Sequence, residues 1–463
     1  MKKNFDCLVI GAGPAGLSAA ITAREFGLSV LLIDEQNRPG GQIYRGIESP
    51  FFKNHCGSDE EYAYGETLTK KFRASEADYL PGVLIWQVSQ DGTISYLENT
   101  VSDQCSGKRI IIASGAMERP VPIPGWTLPG VMGAGAADAL YKSSDIIPDG
   151  KVVLCGNGPL LLSVASKFIE LGVSIEAILE TMSYTDYITS IRHLPKAAKN
   201  FPYLLKGLEM RRQIMASKTK VYTNVKDILA LGNEQLEQIK FTSRGNSKKI
   251  SVDTLLLHDG VIPNTQLTRQ LNCEHEWNEV QRYWFPKHDE WGNTNLQGFL
   301  VVGDTTQVRG AKIAMLKGQL AGMAVAHQLN IITGEERKWK AKAIHSELKL
   351  EMSVRPLMDH LFKPNPEFYA PENKETLVCR CEEVSVAQIL DSVSLGAIDP
   401  NQVKSQVRCG MGQCQGRMCG STISELVAKE RAVNVSEVGY LSVRPPLKPI
   451  SVKILAEQTL INE

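Results

Sequence analysis

Short apolar runs that break at glycine and resume at helical spacing recur along most of the chain. "CLVIGAGPAGLSAA" passes from an apolar strand through a glycine turn into a helix, and "SVLLID" supplies the next strand. A second opening of the same kind, "KVVLCGNGPLLLSVASKFIELGVSIEAILE", begins at Lys151. "LQGFLVVGDTTQVRGAKIAMLKGQLAGMAVA" predicts one more buried strand entering a helix. Strands alternating with helices predict parallel sheets, hence an α/β fold with two Rossmann-like dinucleotide-binding units. Beyond these units the chain turns charged and proline-containing, in "RPLMDHLFKPNPEFYAPENKET", which predicts a linker. In the cysteine-rich block that follows, "VSVAQILDSVSLGA" has helical periodicity with Ser385 as its N-cap. A proline-bearing tail, "LSVRPPLKPIS", comes last. The expected division is a discontinuous first unit (1–148 and 285–345), a second unit (149–284), a linker (346–375), a small helical cysteine-bearing domain (376–435) and a tail (436–463).

At 463 residues the chain is too long for one core, and several domains are expected. Lysine plus arginine balances aspartate plus glutamate, 51 against 51, so no overall field draws nucleic acid. The apolar start of "MKKNFDCLVIGAGPAG" breaks into glycines before it is long enough for a signal peptide, and no apolar run reaches the roughly eighteen residues of a membrane span. Half of the ten cysteines fall between 379 and 419. Clustered thiols in a large chain point to a reducing compartment, cytoplasmic or peripheral at the inner membrane, and to a metal. Cys7, Cys56, Cys105, Cys155 and Cys273 read as small apolar residues or spare thiols.

Gly11, Gly13 and Gly16, with Pro14 and Ala15 between them, sit where a strand hands over to a helix. The three glycines supply a tight turn, room for a pyrophosphate and close helix packing, and the helix N-terminus offers free amides. Asp34, with Glu35 beside it, ends the next strand where a ribose hydroxyl needs a carboxylate. The second loop keeps Gly156 and Gly158 but has Leu161 in the third position, which predicts that helix and strand are forced apart there. Glu180 lies one position later than the usual ribose acid, and no CxxC follows, which disfavours disulfide chemistry. No nucleophile–base pair and no HExxH motif is found. His258, in "LLLHDGVIPNT", reads as structural, with a place near the redox centre as the alternative. The basic run "KAAKNFPYLLKGLEMRRQ" reads as a solvated helix face, with partner docking as the alternative.

"PGGQIYR", "IIASGAMERP" and "LVVGDTT" resemble the successive flavin-site segments of the glutathione-reductase-like flavoproteins with two dinucleotide domains. The resemblance implies FAD, with Gly41, Gln42, Gly115 and Gly303 in its site, Asp304 on the ribityl side and the helix at Ala311 pointing at the ring. It makes the second unit a nicotinamide domain, but Leu161 departs from that pattern and weakens the expectation of NAD(P). "LVCRCEEVS" and "RCGMGQCQGRMCG" have the spacing of the bacterioferritin-associated-ferredoxin-like [2Fe-2S] domain, and the loop resembles that of anaerobic glycerol-3-phosphate dehydrogenase. This resemblance implies ligands Cys379, Cys381, Cys414 and Cys419, with Cys409 as a fifth, supporting thiol. Gly410, Gly412 and Gly416 then let backbone amides approach the sulfurs. Over its whole length the chain resembles the larger subunit of opine oxidases, hydrogen cyanide synthase and hydroxyproline or proline dehydrogenases. That family implies an electron-transfer subunit, with a separate glycine-oxidase-like FAD subunit that oxidises the amine, and in some cases a small ferredoxin-like chain. Two other readings stay open on sequence grounds: an NAD(P)H-dependent reductase serving a ferredoxin-like acceptor, and a flavoprotein with a zinc-stapled docking domain.

Overall fold

The computed structural model describes residues 3–49 and 60–461. Cys56 lies outside the described residues. The first sheet runs, in spatial order, Asp78–Leu80, Val30–Ile33, Asn4–Ile10, Val101–Ile112, Thr93–Glu98 and Val83–Val88, with Phe299–Val301 also pairing Val101–Ile112. Its parallel strands are apolar at nearly every position because both faces are covered, one by helices and the other by the antiparallel strands Val83–Val88 and Thr93–Glu98 with the short helix Gln266–Gln270. Pro14–Glu25 and Ala311–Gln328 are the principal cover on one face, and their crossing is tight. A Cβ at Gly318 would strike the Ala15 carbonyl, and one at Gly322 would come 2.8 Å from Thr22.

The second sheet is wholly parallel, in the order Lys220–Tyr222, Ile175–Glu180, Val152–Asn157, Thr254–Asp259 and Val131–Gly133. A three-stranded antiparallel meander, Val225–Leu231, Gln238–Ser243 and Asn246–Ser251, packs beside it. The α/β class with two dinucleotide-type units is as expected from the alternation, but the boundary at 148 is not where the sheets divide. Val131–Gly133 pairs with Thr254–Asp259, so the second unit takes in residues well before 149. Conversely, Leu267, Leu271 and Cys273 pack with Leu8, Ile10 and Ile112 in the first unit's core. The apolar run that marks a strand does not say which sheet the strand joins.

The stretch 346–375 is packed, contrary to the expected linker. Its prolines Pro356 and Pro366 occupy the first turns of helices Arg355–Leu361 and Pro366–Tyr369, where a missing N–H costs nothing. Leu357 and Phe368 are buried, and the Asn365 amide donates to both oxygens of Asp259 at 3.1 Å. Charge and proline in this segment therefore mark a strap across the second unit.

The cysteine-bearing domain is a bundle of short helices, Val386–Ser394, Pro400–Val407, Gly420–Arg431 and Val435–Val438, around its own core. Ser385 caps the first, accepting from the Gln388 amide in a capping box, as its position predicts. The domain is fastened to the rest of the chain. Arg282 grips Glu425 with two hydrogen bonds of 2.6 Å, the Trp126 indole N–H donates to the Leu377 carbonyl at 2.8 Å, and Arg269 stacks 4.0 Å above the Tyr440 ring. The tail continues the fastening: the Leu447 amide donates to the Trp86 carbonyl at 2.8 Å, and Lys448 pairs with Glu35.

Burial pushes the Glu425 carboxyl up, and Arg282 is what keeps its charged form acceptable. Arg282→Met removes both hydrogen bonds to that buried carboxyl and leaves it only the longer-range field of Arg119, and stability is expected to fall by about 3 kcal/mol. Because the carboxyl then ionises only at a raised pH, the loss grows as pH rises above the ordinary glutamate range. Denaturant unfolding of the variant across pH checks both the size and the direction.

Candidate functional site

Four distant segments meet along one edge of the first sheet. Gly11 has φ +106°, and a side chain there would strike the Ala113 carbonyl. Gly16 lies so close to Gly11 that a Cβ would run into its carbonyl, which is the close helix packing expected of the third glycine. Gly13 is different: a Cβ built there would find only the Gly41 Cα, at 3.8 Å. The protein itself leaves that space open, as a pyrophosphate cradle requires. Pro14 begins the helix, and Ala15 packs against Gly303, where a Cβ would come within 2.6 Å of its own. The Gly115 amide donates to the Thr305 hydroxyl at 2.8 Å, so the segments that follow strands Val101–Ile112 and Phe299–Val301 are tied to each other.

Asp34 uses both oxygens on the loop, accepting from the Ala12 amide at 2.5 Å and the Gln36 amide at 2.6 Å. Burial raises its pKa, and those two amides oppose the rise. Glu35 is exposed and paired with Lys448 of the tail. Gln42 accepts from Arg45 at 3.0 Å, and the buried Nε of Arg45 has no partner. Asp304 accepts from the Arg309 amide at 2.9 Å, and burial raises its pKa. Ala311 opens helix Ala311–Gln328 behind Gly310, whose φ of +95° and empty surroundings leave the helix N-terminus accessible. All thirteen predicted positions lie on these converging segments. Thr305 and Lys448 went unnoticed in the sequence: the first sat unremarked inside "LVVGDTT", and the second carries no motif.

The five clustered cysteines divide into two groups. Cys379, Cys409 and Cys419 bring their sulfurs within 4.8 Å of one another and are buried. Cys381 is exposed, and its thiol interacts with that of Cys414. Strand Leu377–Cys379 ends before Cys381, which lies in the following turn, so the two residues do not share a strand face as alternation predicts. Thiol hydrogen bonds from Cys409 and Cys419 lower the pKa of Cys379. Amides of Gly410 and Glu382 also donate to Cys379, and those of Met418 and Gly416 to Cys414. Gly410 and Gly416 thus do what their lack of bulk suggests. Gly412 has another duty, since a Cβ there would strike Cys381. Arg417 fixes the loop from one side, donating to the Cys414 carbonyl at 3.1 Å and to Leu447 at 2.9 Å.

The second glycine loop is organised differently. Gly156 and Gly158 have φ of +134° and +130°, and both abut His258. Leu161 is buried among Val152, Leu154 and Phe168. Glu180 is buried and held by the Arg211 fork. Residues 363–365 lie across the ends of two neighbouring strands: Asn157 donates to the Lys363 carbonyl at 2.7 Å, and Asn365 binds Asp259. His258 is buried and its Nδ1 lies 2.6 Å from the Glu118 carboxylate. Cys7, Cys105, Cys155 and Cys273 are buried, and burial raises each pKa, so they are inert apolar thiols.

An open glycine cradle, an accessible helix end and a thiolate cluster supplied with backbone donors define an FAD-dependent oxidoreductase that carries a [2Fe-2S] cluster. Residues 5–328 match the family described as pyridine nucleotide-disulphide oxidoreductase, and residues 377–429 match the BFD-like [2Fe-2S] binding domain. The chain belongs to the family of the A-type subunits of opine oxidase: it is 38% identical to the one from Rhizobium meliloti, over 99% of this chain and 88% of the relative. Hydrogen cyanide synthase subunit HcnB of Pseudomonas protegens is 28% identical over 96% of both chains. The fold is shared with L-proline dehydrogenase from P. horikoshii, at a TM-score of 0.72, 19% identity and coverage of 98% of this chain and 79% of that one. FAD and the [2Fe-2S] cluster are accordingly its cofactors. Among the described residues no helix is long and apolar enough to cross a membrane.

Proposed function

We propose that the chain is the electron-transfer subunit of a multi-subunit dehydrogenase or oxidase of amines or imino acids, of the opine, proline or hydroxyproline, or glycine type. The observation that carries this reading is the fastening of a cysteine-cluster domain and its tail onto the two dinucleotide-type units through Arg282–Glu425, Trp126–Leu377 and Leu447–Trp86. Bound flavin takes electrons in pairs and a [2Fe-2S] centre passes them singly. In this proposal Gly11, Gly13, Pro14, Ala15, Gly16, Asp34, Glu35, Gly41, Gln42, Gly115, Gly303, Asp304 and Ala311 hold FAD. Cys379 and Cys419 form one ligand pair and Cys381 and Cys414 the other, with Cys409 lying against the buried pair, its thiol donating to Cys379 and accepting from Cys419. The amine is oxidised on a companion flavoprotein of the glycine-oxidase type, and a small ferredoxin-like chain completes the assembly.

The second glycine loop weighs against direct use of NAD(P)H. Its ribose acid is occupied by Arg211, and its strand ends are covered by the strap. Anaerobic addition of NADH or NADPH to the isolated chain is expected to leave the flavin oxidised. Opines, proline, hydroxyproline and glycine are then offered to the intact assembly and to the chain alone. One of them should bleach the flavin and reduce the irons only in the assembly; fast bleaching by a nicotinamide would instead make this chain a reductase.

A further inference from the structure

Five helical segments, Tyr184–Ser190, Ile191–His193, Leu194–Ala197, Ala198–Asn200 and Phe201–Ala216, follow one another without a break in the second unit. Of the twenty-one large apolar residues that the described chain exposes, nine fall between 184 and 215. A surface helix normally turns its apolar stripe to its own core. Helix Phe201–Ala216 buries Ile214 alone, while Phe201, Leu205, Leu208 and Met215 are 55%, 48%, 64% and 74% exposed. With Arg212 these positions step by four, three, four and three, so they form one seam along the helix. Ile188, 68% exposed, extends the apolar run upstream. Exposed apolar residues gathered on one helix face in this way mark interfaces.

From the geometry and charge of this surface we propose that it docks a second, different polypeptide through an apolar helix bordered by carboxylates. The proposal rests on the heteromeric reading above. Its charge argues the choice of occupant. Residues 191–218 hold seven lysines and arginines against the one carboxylate of Glu209, in a chain that is otherwise balanced. Arg192, Lys196, Lys199, Arg212 and Lys218 are exposed along it. Another copy of this helix would bring a basic border against a basic border and Arg212 into both seams, which repels. A lipid surface accepts a broad apolar face and has no need of a narrow four-three seam with a guanidinium inside it. A partner helix with acidic flanks satisfies both seam and border. The location also agrees with the rest of the unit, whose nucleotide edge is closed by residues 363–365 and which is thereby left as a platform.

The full chain is tagged and isolated with its companions from the organism that makes it, and the companions are identified by sequence. Leu205→Glu/Leu208→Glu changes two exposed side chains, so unaltered flavin and iron content shows that the variant is folded; Ile188→Glu serves as a second variant. The expected result is an amine-oxidising flavoprotein that accompanies the wild type and binds the double variant at least a hundredfold more weakly. Retention of that companion by the folded variants would overturn the docking site while leaving the heteromer intact. Absence of any companion from the wild type would remove both proposals. Sedimentation as a dimer that the variant abolishes would assign the seam to a second copy. Binding to vesicles of phosphatidylglycerol and phosphatidylcholine that the variant abolishes would assign it to lipid. Either result overturns the proposal.

Discussion

Cys414→Ala is expected to yield a protein that keeps its flavin and contains almost no iron or acid-labile sulfide, whereas Cys409→Ala keeps both. Cys414 is the inner member of the exposed pair, and amides from Met418 and Gly416 already point at its sulfur. A [2Fe-2S] centre needs two sulfurs on each iron, so losing one ligand of four leaves an iron open to solvent at the more accessible end. Cys379→Ala is expected to have the same result from the buried end. The flavin should survive these changes because the cysteine-bearing domain has its own core. Cys409 differs in kind. It touches Cys379 and Cys419, the two buried cysteines proposed as ligands, so its removal takes away thiol hydrogen bonds and should lower the reduction potential of the cluster without emptying it. Iron and sulfide analysis, followed by spin-resonance titration of the reduced proteins, separates the two classes. A Cys409→Ala protein without iron would make Cys409 a ligand and displace one of the proposed four.

Gly13→Val is expected to give the complementary protein, folded and loaded with iron but free of FAD. The three glycines of the first loop fail for different reasons. A side chain at Gly11 or Gly16 collides with backbone, so those substitutions damage the fold itself. At Gly13 the nearest protein atom is 3.8 Å from the added Cβ, and the valine methyls project into the space kept for the pyrophosphate. Affinity should therefore fall by at least a hundredfold, about 3 kcal/mol, with little change in the unfolding of the iron-loaded protein. Flavin released per chain after gel filtration measures the first, and denaturant unfolding of flavin-stripped wild type beside the variant measures the second. Full flavin occupancy in Gly13→Val would mean that the cradle lies elsewhere on the sheet edge.

The first glycine loop was legible because each of its residues answers a local need: a turn, a gap, a helix contact. The cysteine loop was legible through the same economy of bulk, and Gly410 and Gly416 carry out the predicted approach of amide to sulfur. The pairing of sulfurs was not, because strand alternation at Cys379 and Cys381 fails where the strand ends. Sheet membership of Val131–Gly133 was hidden for a related reason, since a three-residue strand takes its place from its neighbours. Charge and proline in 346–375 resembled a linker, and only tertiary contacts such as Asn365 on Asp259 reveal a packed segment. The seam on helix Phe201–Ala216 was visible as a basic run, but exposure of its apolar members is a property of the folded surface.

The contacts of residues 440–448 also impose an order of events during synthesis. Tyr440 lies under Arg269, Leu447 meets Trp86 and Arg417, and Lys448 reaches Glu35, so one short stretch touches both halves of the redox machinery. Every group it clasps leaves the ribosome earlier. Each half can therefore take up its prosthetic group on an unlatched chain, and the latch closes over whatever has been loaded.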